Sequence, residues 1–353
     1  MRSRVKALAA RLARAAGFEI RRVPAAVDAA PAVLFPPKFS TGDIVRGLAT
    51  AREAHPGFEV WILVDGYVPP PAGISTVIDC RAASPEVLAR VAAEAVFIYA
   101  CDSDEIGLPW IRELVRQRRR FYPVPVYTPS TYANVSDEAR RTLEAEFTAQ
   151  SAAGFAKWDF GPGDFLNIVQ AIDVTADLPG AYVEIGCYRG SSSCVAVRYM
   201  NARRLRRDCY FFDTFDGFAY DAARTSSDAM WQETHATEGE AVVRARIERH
   251  AAPERGLRFF VQRLNVIHDG LPAAADPIAV ANVDVDLYEA VAAALARVAP
   301  RITPGGIMIV EDPGHTPALI GSRLALSEFL QTPAAAGFTA LYMESGQTLL
   351  LRR

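Results

Sequence analysis

Apolar and polar positions alternate along this chain in two separate blocks. In the first, FEVWILV (Phe58–Val64) is an almost continuous apolar run ended by Asp65-Gly66 and the prolines Pro69–Pro71, and it predicts a buried strand. Ala32–Phe35 is a shorter apolar run, and Ile44–His55 has helical spacing. Thr76–Ile78 and Val96–Ala100 are strand-like, Pro85–Val96 is spaced as a helix, and a helix near Trp110–Arg120 leads into PVPVY. Strands alternating with helices imply a parallel sheet, so residues 25–130 are expected to form a small α/β domain. It lacks a glycine-rich phosphate loop, and no chemistry is assigned to it. Residues 131–160, including SDEARRTLEAEF, are polar and helical in part, which suits a linker.

The second block, residues 161–353, opens with the helical GPGDFLNIVQAI and is more regular. Strands are expected at Ala181–Ile185, Cys209–Phe212, Phe259–Gln262, Ile278–Val283 and Gly306–Val310, with helices at Ser192–Asn201, Glu289–Val298 and Gly321–Leu330. Phe338–Glu344 and Thr348–Leu351 form a hairpin around Ser345-Gly346. A long insertion, about Ala219–Arg258, reads as a lid carrying Trp231 and His235. The expected fold is α/β: a doubly wound, Rossmann-like, seven-stranded sheet closed by a C-terminal antiparallel hairpin, plus the smaller N-terminal α/β domain.

Composition narrows the function classes. Half of the 353 residues are apolar, so a sizeable core can be buried, and a net charge of −3 gives no case for nucleic acid as a partner. The five cysteines (Cys80, Cys101, Cys187, Cys194, Cys209) show no paired spacing, which suits a reducing, cytoplasmic compartment. No apolar run reaches the roughly 18 residues of a spanning helix. Residues 1–24 read as a basic amphipathic helix: Arg2, Arg4, Lys6, Arg11 and Arg14 precede the first acid, and Val5, Leu8, Leu12 and Ala15 share one face. Such a helix either packs on the body or makes a peripheral contact with an anionic membrane surface.

Candidate chemistry gathers where strands of the second block end. In AYVEIGCYRGSSS, Gly186 and Gly190 let the backbone approach a ligand closely. Glu184 at the strand end would repel a pyrophosphate but could accept bonds from an ammonium, and the spacing is wrong for G-x-G-x-x-G, so an aminoacyl ligand is favoured over a dinucleotide. The next strand ends in YFFDTFDGF, where Asp213 can accept both ribose hydroxyls of a nucleoside and Asp216 caps or faces solvent. The later strands end in NVDVDLYE and IMIVEDPGH. Asp284, Glu311 and Asp312 are candidates to converge, and three carboxylates need a counter-cation such as Mg2+ or Ca2+. Asp286 would point the other way if the strand continued, unless the chain has already turned. Asp286 and His315 are the candidate bases; His235 has a weaker claim, and His268 is expected to be structural.

VEIGCYRGSSS, DTFDGF, VDVDLYE and GGIMIVEDPGH, in this order and spacing, resemble the macrocin O-methyltransferase family over about residues 160–353. The resemblance implies an S-adenosyl-L-methionine cofactor, with Glu184, Gly186, Cys187 and Tyr188 along its methionine side, Asp213 on the ribose, and Asn265 and Asp269 as polar candidates beside the adenine. It implies Mg2+ held by Asp284, Glu311 and Asp312, and O-methylation of a sugar hydroxyl on a glycan or glycosylated metabolite. Some relatives carry an N-terminal domain that helps assemble an oligomer, so a homo-oligomer is expected here. RLNVIHDGLP departs from the family in lacking the glycine usual after the third strand. Two other readings stay open: methylation of a catechol or other small phenol, and a cofactor-binding assembly protein without turnover.

Overall fold

The structure, a computed structural model, describes residues 40–65, 76–101, 104–124, 135–153, 162–225, 228–250, 257–315 and 319–353. The expected basic helix of residues 1–24, the Ala32–Phe35 run and most of PVPVY lie outside these. None of the described helices is long and apolar enough to cross a membrane.

The first block forms α1 (Thr41–Ala54), β1 (Val60–Val64), β2 (Val77–Asp79), β3 (Val96–Ala100), α2 (Asp104–Arg116) and β4 (Arg120–Pro123). These strands make a parallel sheet in the order β2-β1-β3-β4. Side chains alternate across a strand. Val60, Ile62 and Val64 therefore meet Ile44, Leu48 and Ala51 of α1, while Leu63 and Phe97 meet Trp110 and Leu114 on the other side. Ser40 starts α1 with a capping box: its hydroxyl accepts from the Asp43 N–H, and the Asp43 carboxylate takes the Ser40 N–H at 2.6 Å. The helix expected over Pro85–Val96 is only a 3-10 turn, Pro85–Arg90, before the chain swings into β3.

The expected linker is largely a helix. In α3 (Asp137–Ala152), Ser136 caps the first turn, and Ala139, Arg140, Leu143 and Glu146 are buried. The helix packs on α4 (Pro162–Val174) and α5 (Ser191–Arg203), so this segment is part of the body, not a free connector.

The remaining elements are β5 (Ala181–Ile185), β6 (Cys209–Asp213), α6 (Asp221–Thr225), α7 (Glu240–Glu248), β7 (Phe259–Arg263), β8 (Ile278–Val283), α8 (Tyr288–Val298), β9 (Ile302–Val310), α9 (Ile320–Phe329), β10 (Phe338–Tyr342) and β11 (Thr348–Arg352). They build the expected seven-stranded sheet in the order β10-β11-β9-β8-β5-β6-β7, with only β11 antiparallel to its neighbours. Val183, Ile185, Ala281, Val283 and Met308 pack against Val291, Leu295, Ala325 and Phe329 of α8 and α9. The strand order reverses between β5 and β8, and the crevice beyond their carboxyl ends is where such sheets bind ligands.

Candidate functional site

A cavity of about 380 Å3 opens at that crevice, in the size range of small-molecule sites. Its walls come from the ends of five consecutive parallel strands, from the insertion after β6, and from the start of α4.

The loop after β5 is left-handed at Gly186 (φ 94°), Tyr188 (φ 45°) and Gly190 (φ 79°). A Cβ on Gly186 would lie 1.6 Å from the Asp284 carbonyl oxygen, so only glycine lets this loop cross the end of β8. Asp213 ties the loop from the next strand: its carboxylate accepts the Tyr188 and Phe215 N–H groups, each at 2.7 Å. Burial pushes the Asp213 carboxyl up, and the two amides oppose that rise. Gly186, Tyr188, Asp213 and Asn265 all line the cavity.

Four expected cofactor contacts sit elsewhere. Glu184 lies beneath the cavity, not in its wall, because strand alternation turns it toward α5. There its carboxylate accepts the hydroxyls of Ser192 (2.5 Å) and Tyr182 (3.3 Å), and burial raises its pKa to about 7. Cys187 and Gly190 are buried and also outside the lining, and burial pushes the Cys187 thiol up. Asp269 lies in an adjoining shallow groove, where its carboxylate accepts the Asn265 N–H at 2.8 Å. These residues shape the loops; they do not face the main cavity.

Beside this loop, where β8 and β9 end, oxygens of Asp284, Asp286 and Asp312 lie within 4.8 Å of one another. Asp286 joins the group because β8 stops at Val283 and the chain turns at Asp286 with φ 56°. A left-handed non-glycine residue is uncommon and costs energy, which marks the turn as a shaped feature. Burial and mutual repulsion push Asp284 and Asp286 well above the ordinary carboxylate range. Glu311 also borders the cavity, but its carboxylate is held at 2.5 Å by Gln347 of the hairpin, outside the group of three. Among the described residues, none that lines the cavity is Lys or Arg. Three carboxylates with oxygen donors only, opposed by the single His315 imidazole at Asp312, fit a hard divalent cation such as Mg2+.

His315 is set against Asp312, with Nδ1 at 3.0 Å from its carboxylate, and that hydrogen bond raises the imidazole pKa. Its Nε2 edge lies against the hairpin turn at Gly346. The Asp312 contact orients the His315 ring, whose side chain is 46% exposed, whereas Asp286 lies within the acidic group itself. His268 is exposed on the turn after β7, and Asp216 pairs with Arg263 at the surface.

The insertion closes the side wall. Phe218, Tyr220, Trp231 and His235 all line the cavity. The His235 ring lies 4.9 Å from Phe218, 5.4 Å from Tyr188 and 6.0 Å from Trp231. Asp228, buried in the same insertion, accepts the Gly321 N–H of α9 at 2.7 Å and latches the wall to the body. The Tyr220 hydroxyl is buried with no hydrogen-bond partner among the described residues, and burial, then the Asp286 carboxylate, raises its pKa. Sequence reasoning missed Tyr220, Gln347 and Asp164. Asp164, at the start of α4, lines the cavity, and burial lifts its pKa to about 6. No strand-end motif marks any of the three.

Removing the Asp213 side chain frees two amides as well as a ligand acceptor. Asp213→Ala is expected to weaken nucleoside-ligand binding by roughly 1–3 kcal/mol, measured by calorimetry with S-adenosylhomocysteine. Unchanged affinity would remove Asp213 from the ligand site.

Residues 161–333 match the family described as Macrocin-O-methyltransferase (TylF). A curated relative from Streptomyces olivaceus, 8-demethyl-8-(2,3-dimethoxy-alpha-L-rhamnosyl)-tetracenomycin-C 4'-O-methyltransferase, is 34% identical over 149 residues, covering 39% of this chain and 55% of the relative's length. The chain thus spans about half of that relative. Among solved structures, the O-methyltransferase NovP aligns with 23% identity and a TM-score of 0.46, over 54% of this chain and 80% of NovP. CalS11, a calicheamicin methyltransferase, aligns with 19% identity and a TM-score of 0.44, over 64% of this chain and 94% of CalS11. The matched segment begins just before α4 and ends after α9, so the similarity to the macrocin O-methyltransferase family takes in every strand end that lines the cavity.

Proposed function

We propose that this protein is an O-methyltransferase that takes a methyl group from S-adenosylmethionine and places it on a sugar hydroxyl of a glycosylated small molecule, assisted by Mg2+. The observation that carries the reading is a cavity lined both by a left-handed glycine loop and, beside it, by the Asp284–Asp286–Asp312 group. The family match over residues 161–333 and the sugar acceptor in the relative's name support it.

In this reading the Gly186–Tyr188 loop and Asp213 hold the donor with its sulfonium methyl toward the acidic group. Asp284, Asp286 and Asp312 would hold Mg2+, which when bound would supply Lewis-acid activation of the acceptor hydroxyl. Asp286 accepts the hydroxyl proton. The oxygen lone pair forms the new C–O bond as the S–CH3 bond breaks, and that bonding pair returns to sulfur. Proximity supplies much of the acceleration, since the reacting atoms are held in line. The aromatic wall of Phe218, Tyr220 and Trp231 offers apolar surface to a sugar ring, and the lone Tyr220 hydroxyl offers a hydrogen bond to a neighbouring sugar hydroxyl.

Tyr220→Phe is therefore expected to raise the acceptor KM by about 5- to 10-fold, the worth of one neutral hydrogen bond, with donor affinity unchanged. Steady-state kinetics with each substrate varied checks this. The function itself is tested by methyl transfer from labelled donor to a panel of O-rhamnosides and catechols. Methylated rhamnoside supports the proposal; transfer confined to catechols replaces the acceptor class, and no transfer to any hydroxyl overturns the reading.

A further inference from the structure

A second buried cluster lies behind the donor loop. Glu146 of α3 has no exposed surface, and Cys194 of α5 and His250, just after α7, offer atoms within 4.8 Å of its carboxylate. The donor types alone would suit a metal. The surroundings do not: Arg246 donates to Glu146 at 2.6 Å, and Arg198 approaches it at 4.0 Å. Two guanidiniums already neutralise the carboxylate, and burial together with those arginines lowers the His250 pKa to about 4. The cluster is a lock between helices.

What the lock holds is the donor loop. Arg246 of α7 spans two groups: one nitrogen binds Glu146, and the other donates to the Arg189 carbonyl at 3.1 Å. Arg189 sits between two left-handed residues, Tyr188 and Gly190. The Tyr188 N–H is tied to Asp213, and Gly190 lies under Val243 and Ile247 of α7, so close that a Cβ would come within 3.2–3.3 Å of them. The loop is thus held from the ligand side by Asp213 and from behind by Arg246. Arg246 is in turn fixed by a carboxylate on a helix that precedes the family-matched segment.

We infer that Glu146 is a positioning residue for the methyl-donor loop, acting through Arg246 on the Arg189 carbonyl, so that docking of α3 sets the affinity of the cavity for the donor. The inference rests on the reading of the cavity as a donor site. A planar guanidinium can bridge two acceptors in fixed geometry, whereas an ammonium is a point charge. The link between α3 and the cavity is a contiguous series of hydrogen bonds, the kind of network through which remote residues modulate binding.

The test is calorimetry with S-adenosylhomocysteine on the full chain and on Glu146→Gln, Arg246→Lys and the double variant. Arg246→Lys keeps the charge opposite Glu146 but cannot reach both partners, so it separates loop positioning from loss of a buried ion pair. Each single variant is expected to bind about 10-fold more weakly, within the range seen for coupled networks. The double variant should be no weaker than the worse single one, and the donor KM should rise more than the acceptor KM. If Glu146→Gln does not fold, Arg246→Lys alone decides. Parent-like affinity in a variant that melts as the parent does, or additive losses in the double variant, would overturn the inference while leaving the donor site standing. Absence of binding by the parent itself would overturn the donor reading and this inference with it.

Discussion

Asp286→Asn is expected to reduce methyl transfer by about 100- to 10,000-fold, the usual contribution of a positioned proton acceptor, with S-adenosylhomocysteine affinity changed by less than about 3-fold. The amide cannot take a proton and is a poorer cation ligand, yet it fills nearly the same space. Asp286 sits at a turn with φ 56°, a conformation asparagine tolerates well, so the fold should survive. Its carboxylate is grouped with Asp284 and Asp312, whereas the donor loop is tied by Asp213. Turnover and donor binding should therefore separate. Single-turnover kinetics at saturating donor, paired with calorimetry, reads both; equal losses in the two would make Asp286 a structural residue of the turn.

Gly186→Ala is expected to abolish measurable donor binding and to lower Tm. Two penalties coincide here. The backbone has φ 94°, and the added Cβ would meet the Asp284 carbonyl oxygen at 1.6 Å, with backbone on both sides of the contact. Together these should cost about 3 kcal/mol or more, or roughly 6–12 °C in Tm for a domain of this size. Gly239→Ala is the control: its φ is 103°, but nothing lies within 4 Å of the added Cβ. It should lose much less stability and keep its ligand. Similar losses in both variants would show that backbone conformation alone, not the contact with β8, makes Gly186 irreplaceable.

The strand ends of the second block were legible because their signals are local. Apolar runs ending in Glu184, Asp213, Asp284 and Glu311-Asp312 mark both the strands and the crevice they border. What escaped depended on partners far along the chain or on single backbone angles. Asp286 enters the acidic group only through its left-handed turn. Glu311 is drawn aside by Gln347, a hairpin residue whose side chain no strand-end pattern places. Glu184 reads as a ligand contact because it ends a strand, and Cys187 because the family resemblance implies it, but alternation along β5 sends the Glu184 side chain under α5. The segment around α3 resembled a connector because its buried face carries Arg140 and Glu146, and buried charge looks like solvent-exposed charge until Arg246, 100 residues away, comes into view. Pro85–Val96 had helical spacing, but only one 3-10 turn forms before β3 begins.

In the proposed reaction the acidic group serves methyl transfer as a cation site. The most direct measurement is the initial rate of labelled methyl transfer to a rhamnoside acceptor, first in EDTA and then with Mg2+ restored in excess. Activity should vanish in chelator and return with Mg2+ in the parent protein, while Asp284→Asn should stay inactive after Mg2+ is restored. Full activity in EDTA would contradict the account, leaving Asp284, Asp286 and Asp312 as carboxylates that shape the cavity without holding an ion.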